Sequence, residues 1–317
     1  MCTAITYETN DFYFGRNLDV ERSYNERVVV TPRNFNLKMR CVEALKHHYA
    51  IIGMATVIDD FPLYFDATNE TGLSIAGLNF PENAKYKAIN NKLNNITPFE
   101  FIPYILGKCK NIKEVEKELK NINLVNISFN KNLALSPLHF IISDKTKSIT
   151  VESVKDGLKI YENPVGVLTN NPTFDYHLIN LNNYMSLSEE MSKNNFSNKL
   201  NFNNYSLGLG ALGLPGDFSS ASRFIKATFV KYKSKSGNCE NESVTQFFHI
   251  LDSVAMPKGC VLVHNNQYEY TRYSSCCNVD KGIYYYKTYN DFNIRKIEIN
   301  SFDLNNDILY KSYALGD

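Results

Sequence analysis

Strand-forming segments open, divide and close this chain, and its helical segments lie between them. A chain ordered this way builds sheets from hairpins and lays helices on them. It does not alternate strand and helix as a parallel sheet requires. Thr3 to Tyr7 and Phe12 to Asn17 flank the turn-prone Glu8-Thr9-Asn10-Asp11, the pattern of a hairpin. Arg27 to Thr31, Ala50 to Val57 and Thr71 to Phe80 read as further strands, as do Leu138 to Ser143, Ser148 to Ser153, Leu158 to Glu162 and Val165 to Thr169. Tyr268 to Cys276, Gly282 to Tyr289 and Ile294 to Asn300 end the chain as strands.

Helix signals fall in five segments. Thr97-Pro98-Phe99-Glu100 combines a capping residue, proline at the first position and an acid at the third, and predicts a helix to about Cys109. Asn111 caps Ile112 to Leu119, with Glu114 at the third position. Phe174 to Tyr184, Ser219 to Tyr232 and Ser243 to Ala255 carry helical periodicity, whereas the polar, Asn-rich residues 186–206 read as loop. The order predicts an α+β layered fold with largely antiparallel sheets, in one domain spanning 1–317. No linker composition and no internal repeat divides it.

Composition removes several function classes. A net charge of +1 creates no field for nucleic acid or an acidic membrane. No apolar run is long enough to span a bilayer, and the N-terminus lacks a signal-peptide pattern. The seven cysteines have no zinc-ligand spacing and no disulfide framework, and the six histidines form no metal pattern. These features predict a reduced, cytoplasmic protein with no metal-binding pattern.

Cys2 stands directly after the initiator methionine. With Met1 removed it would carry a thiol and a free α-amine, a nucleophile and its own base in one residue. From position alone it reads more readily as an ordinary small apolar residue near a terminus. Other segments change that balance. The hairpin returns Arg16 and Asp19 toward Cys2, where an arginine favours thiolate and a carboxylate can hold the amine. Asn79 and Asn170 each stand where a strand meets a loop, placed as amide donors for an oxyanion or as turn residues. Arg223 follows Gly213-Leu214-Pro215-Gly216-Asp217 in the first turns of a helix, a poor place for a cation without a specific partner. Tyr284-Tyr285-Tyr286 fits either a core or an apolar ligand site.

Taken in order, Met1-Cys2-Thr3, Gly15-Arg16-Asn17-Leu18-Asp19, Gly77-Leu78-Asn79-Phe80-Pro81, Gly166-Val167-Leu168-Thr169-Asn170 and Leu214-Pro215-Gly216-Asp217-Phe218-Ser219 with Ser222-Arg223-Phe224 resemble the choloylglycine hydrolases, a branch of the N-terminal-nucleophile hydrolases. Within that family the chain looks most like the bile salt hydrolases, over nearly its whole length. The resemblance implies a four-layer αββα sandwich, a homotetramer, and hydrolysis of glycine- or taurine-conjugated bile acids through a Cys2 thioester, with no metal or cofactor required. It implies Arg16 beside the thiol, Asp19 positioning the α-amine, Asn79 and Asn170 in the oxyanion hole, and Arg223 near the nucleophile. Penicillin V acylase shares fold and nucleophile, but tyrosine often replaces the residue matching Asn79. N-acyl homoserine lactone acylase activity is a further alternative. A binding protein that keeps the fold without catalysis would be expected to lack Cys2 or an oxyanion asparagine, and neither is missing.

Overall fold

The computed structural model describes residues 1–131, 133–312, 314 and 315. Two antiparallel sheets form its centre. One has seven strands, ordered Val167–Leu168, Cys2–Glu8, Phe12–Val20, Tyr268–Asn278, Ile283–Thr288 and Arg295–Glu298, with Val261–Leu262 paired to Tyr268–Asn278. The other has eight, ordered Gly157–Glu162, Ser148–Val154, Leu138–Ser143, Ser74–Asn79, Phe61–Asn69, Ile51–Ile58, Arg27–Thr31 and Tyr310–Lys311. Every pairing within both sheets is antiparallel, as hairpin-built sheets must be.

The sheets face each other, with Cys2–Glu8 and Phe12–Val20 against Phe61–Asn69 and Ser74–Asn79. Helices α1 (Phe101–Lys108) and α2 (Ile112–Leu119) share a core with the outer face of the eight-stranded sheet. Helices α3 (Phe174–Leu181), α4 (Ser220–Lys233) and α5 (Glu240–Asp252) lie on the other side, where α4 and α5 pack on the seven-stranded sheet. The result is four layers, helix–sheet–sheet–helix. Alternation carries it. Val28 and Val30 enter one core and Val29 the other, and Ile141 divides from Phe140 and Ile142 in the same way. A sheet buried on both faces needs apolar side chains at successive positions, so its strands read as continuous apolar runs.

Several expectations shift locally. At the turn Glu100 Oε2 accepts from Thr97 Oγ1 at 2.7 Å and from Thr97 N–H at 3.1 Å, but Thr97 does not cap the helix and α1 begins only at Phe101. Asn111 caps α2 by accepting from Glu114 N–H at 3.0 Å. Helix α5 starts earlier than Ser243, at Glu240, after Cys239. The strand expected from Thr71 is confined to Ser74–Asn79, and Phe61–Asn69, not anticipated, lies beside it. Residues 186–206 contain no helix or strand.

Candidate active site

Cys2 begins the first strand and is 3% exposed. Its strand pairs with Phe12–Val20 in the register Cys2↔Leu18, Thr3↔Asn17 and Ala4↔Arg16. Residues directly opposite in an antiparallel pair share a face, and neighbours along a strand alternate. Cys2 and Arg16 therefore share the face turned toward the second sheet, and Thr3 and Asn17 share the face turned toward the helices. The contacts follow that division. Arg16 Nη1 donates to Phe65 O at 3.0 Å and to Gly77 O, both in the eight-stranded sheet. Asn17 Nδ2 donates to Leu251 O at 2.9 Å in α5.

Arg16 is wholly buried, and its Nη2 has no hydrogen-bond partner. Burial opposes its charge, but the Cys2 thiol, Tyr273, Asp66 and Asp19 outweigh that and hold its pKa above the ordinary arginine value. Behind it, Arg16 N–H donates to Ser275 Oγ at 3.2 Å, and Ser275 Oγ donates to Asp66 Oδ2 at 3.0 Å. Asp66 also accepts from Tyr273 at 2.6 Å and Tyr284 at 2.7 Å. Burial pushes the Asp66 carboxyl up, against the pull of Arg16 and these hydroxyls. Tyr284 thus belongs to the inter-sheet core, and Tyr285 bonds Glu240 at 3.0 Å. None of the three successive tyrosines lines the cavity at Cys2.

Arg223, in the first turns of α4, has the specific partners its position demands. Ser219 caps the helix by accepting from Ser222 N–H. The guanidinium donates to Cys2 O, to Thr3 Oγ1 at 2.7 Å, to Asn170 Oδ1 at 2.8 Å and to Phe218 O at 3.0 Å. Asp19 Oδ2 lies 4.0 Å from Nη1. Burial lowers the Arg223 pKa, and Asp19, Cys2 and Glu269 oppose that.

Asn170 joins these groups. Its Oδ1 accepts from Cys2 N–H at 2.8 Å as well as from Arg223. Its Nδ2 donates to Asn79 O at 2.6 Å, and its N–H donates to Ser220 Oγ at 2.8 Å. The two asparagines therefore meet, as their strand-end positions suggested, though the contact uses the Asn79 carbonyl. Met1 is attached here, so the Cys2 nitrogen is an amide. The Met1 ammonium bonds Glu269 Oε1 at 2.7 Å and Asp19 O at 2.8 Å. The Asp19 carboxylate accepts from Thr271 at 2.7 Å through Oδ1, while buried Oδ2 has no hydrogen-bond partner. With Met1 in place, Asp19 does not receive the Cys2 nitrogen.

The six residues singled out in the sequence are thus brought together. Cys2, Arg16, Asp19 and Asn79 line a cavity of about 670 Å³, and Asn170 and Arg223 reach it through Cys2. Ile58, Leu63, Phe65, Phe99, Phe129 and Leu135 give the cavity a broad apolar wall. A thiol at the edge of such a cavity, beside two buried arginines and an anchored amide, is arranged for acyl transfer from an apolar substrate. Glu269, His139, His177 and Asp66 went unnoticed in the sequence. Asp66 carried one signal, a lone acid in an otherwise apolar stretch. Among the described residues, no three His, Cys, Asp or Glu side chains are grouped to hold a metal, and no helix is long and apolar enough to cross a membrane.

Comparison with known proteins identifies the family of the chain. The family model for linear amide C–N hydrolases of the choloylglycine hydrolase family matches residues 2–310. A bile salt hydrolase/transferase of Lactiplantibacillus plantarum is 56% identical over 300 residues, 95% of this chain and 93% of that protein. The crystal structure of the C2A mutant of conjugated bile acid hydrolase from Clostridium perfringens superposes with a TM-score of 0.91 at 37% identity, covering 98% of this chain and 96% of that one. Penicillin V acylase from Agrobacterium tumefaciens shares the fold, with a TM-score of 0.79 at 19% identity over 99% of this chain and 92% of that one. With its amino-terminal cysteine strand, its paired antiparallel sheets and a match over almost its full length, this chain belongs to the choloylglycine hydrolase family of linear amide C–N hydrolases.

Proposed function

We propose that this chain hydrolyses the amide bond of glycine- or taurine-conjugated bile acids, with Cys2 as nucleophile. The observation that carries the reading is Cys2 itself. It lines the largely apolar cavity while its nitrogen and carbonyl are held by Asn170 and Arg223. Loss of Met1 frees the α-amine, which takes the thiol proton. The thiolate attacks the amide carbonyl, and the oxyanion receives the second N–H of the Asn170 amide, with Asn79 beside it. The protonated amine passes its proton to the leaving nitrogen, so glycine or taurine departs and a thioester remains. Water then attacks the thioester and releases the bile acid.

Each neighbour has a part in this reading. Arg16 supports the thiolate from the inter-sheet side. Arg223 holds the Cys2 backbone, and Asp19, with a free carboxylate oxygen, receives the α-ammonium once Met1 is gone. The apolar wall accommodates the steroid. The same thioester can pass its acyl group to an amine instead of water, consistent with the transferase in a relative's name.

We also place the protein in the cytoplasm as a homotetramer. Its seven cysteines are unpaired. Within residues 179–212, Ile179, Met185, Phe196, Tyr205, Leu207 and Leu212 are exposed, an apolar surface suited to a second copy of the chain. A leucine-to-aspartate change at 207 should shift the mass in solution below that of a tetramer. The central test measures amino-acid release by wild type and by Cys2→Ala on glycocholate, taurocholate and penicillin V. Bile salts should be cleaved faster than penicillin V, and Cys2→Ala should release nothing. Undiminished release by Cys2→Ala, or faster cleavage of penicillin V, would overturn the assignment.

A further inference from the structure

Two buried histidines address the backbone of the segment that carries Asn170. His139 Nε2 lies 2.9 Å from Thr169 O, and His177 Nε2 lies 2.9 Å from Asn170 O. A carbonyl oxygen only accepts, so each Nε2 carries a proton and donates. The histidines arrive from different layers, His139 from the strand Leu138–Ser143 and His177 from α3. Both are 0% exposed.

Each ring also presses on a neighbour of a site residue. His139 stacks on Phe80, which follows Asn79, with centroids 4.2 Å apart and planes 7° from parallel. His177 stacks on Phe224, which follows Arg223, at 4.7 Å and 22°. One imidazole thus ties the Asn170 segment to Asn79, and the other ties it to Arg223. The support continues outward. His139 Nδ1 is 3.0 Å from Glu152 Oε1, and the same oxygen accepts from Phe174 N–H, the first residue of α3, at 3.1 Å.

The arrangement at His177 works against simple packing. Burial pushes its pKa down to about 4, with His139 and Arg223 adding to the effect against the Asn170 and Pro172 carbonyls, and its Nδ1 forms no hydrogen bond of ordinary geometry. A phenylalanine would fill the same space against Phe224 and orphan no nitrogen. What the histidine adds is a hydrogen bond to the carbonyl of Asn170.

We propose that His139 and His177 are positioning residues that clamp the Thr169–Asn170 segment from two sides and hold the Asn170 amide in register with Cys2, Asn79 and Arg223. The inference rests on the reading of Asn170 as an oxyanion donor. A misplacement of about 1 Å at such a donor lowers turnover by up to about a hundredfold. Ground-state binding in the apolar cavity is not affected by it.

The test separates donor from ring at position 177. His177→Phe keeps the stack on Phe224 and loses the donor, and His177→Gln keeps an amide N–H and loses the ring. Steady-state kinetics on glycocholate should show kcat reduced about tenfold to a hundredfold in His177→Phe, with KM within about twofold. His177→Gln should recover most of that kcat. Wild-type kcat in His177→Phe would overturn the clamp, and so would equal impairment of the two variants in step with their melting temperatures. If His177→Phe does not fold, His139→Phe, which keeps the stack on Phe80, and His139→Gln make the same comparison. Asn170→Ala separates the two layers of argument. If it is inactive while His177→Phe turns over normally, the clamp alone fails. If it retains kcat, the oxyanion reading fails and the clamp with it.

Discussion

Replacing Arg223 by methionine isolates what its guanidinium does, because the aliphatic stem is largely kept. Arg223 is 1% exposed and donates to four acceptors on three separate segments: Cys2 and Thr3, Asn170, and Phe218. Nη1 is also 4.0 Å from Asp19 Oδ2, an oxygen with no hydrogen bond of its own. At that separation, with an effective dielectric of about 20, unit charges attract by about 4 kcal/mol. Removing one member of a buried pair typically costs about 3–5 kcal/mol, mostly because the other charge is left uncompensated. Arg223→Met should therefore lower the unfolding free energy by about 3–5 kcal/mol. If the stranded Asp19 carboxylate is the cause, Asp19→Asn on the Arg223→Met background should restore part of the loss, giving a coupling of about 1–3 kcal/mol. Urea unfolding followed by far-UV circular dichroism suits a chain without tryptophan, at fixed protein concentration because association shifts the midpoint. A loss under about 1 kcal/mol in Arg223→Met, or strictly additive effects in the double variant, would refute the reasoning.

His177 predicts a pH effect of definite sign. Its folded pKa of about 4 lies below the ordinary 6.5, so between those values the unfolded chain binds a proton that the folded chain refuses. Its contribution is present in full above pH 6.5 and falls by about 3 kcal/mol as the pH drops toward 4, so His177→Gln should show a shallower loss of stability over that window. Equal slopes for the two proteins would contradict this. Gly15→Ala should destabilise by about 1–3 kcal/mol or more, because its Cβ would stand 2.0 Å from the Ser275 carbonyl oxygen, a backbone atom that cannot swing aside. An unchanged urea midpoint would show that the strands part more easily than their packing implies. Intact mass of an active preparation should lack the Met1 residue, and full retention of Met1 in active protein would remove the α-amine from the mechanism.

The sequence by itself determined the elements whose causes are local. The hairpin Cys2–Glu8 with Phe12–Val20 follows from two strand-forming runs flanking the turn-prone Glu8-Thr9-Asn10-Asp11, and α2 follows from Asn111 with Glu114 behind it. Such signals are short-range steric and hydrogen-bonding preferences, so they can be read within a few residues. That the six candidate residues belong together was also legible, through the family pattern their order matches, and the structure brings them to one cavity. Local signals failed where a distant group takes over. Phe61–Asn69 contains Pro62 and Asp66, which speak against a buried strand. Asp66 is nevertheless accepted because Tyr273, Ser275 and Tyr284, more than two hundred residues later, bring hydroxyls to its carboxylate. The N-terminal turn of α1 is displaced in the same spirit, since Glu100 turns back to Thr97 and also accepts from Arg40 N–H. His139, His177 and Glu152 looked like ordinary polar residues. Only the apposition of sheet and helix places their nitrogens and oxygens on the backbone around Asn170. Burial without a partner is costly, so partners for a polar group are chosen by the tertiary structure, in which residues far apart in sequence come within 3 Å. Residue type and spacing made Cys2 a candidate nucleophile. The packing of the two sheets on each other, and of α4 on the seven-stranded one, decided which groups hold it.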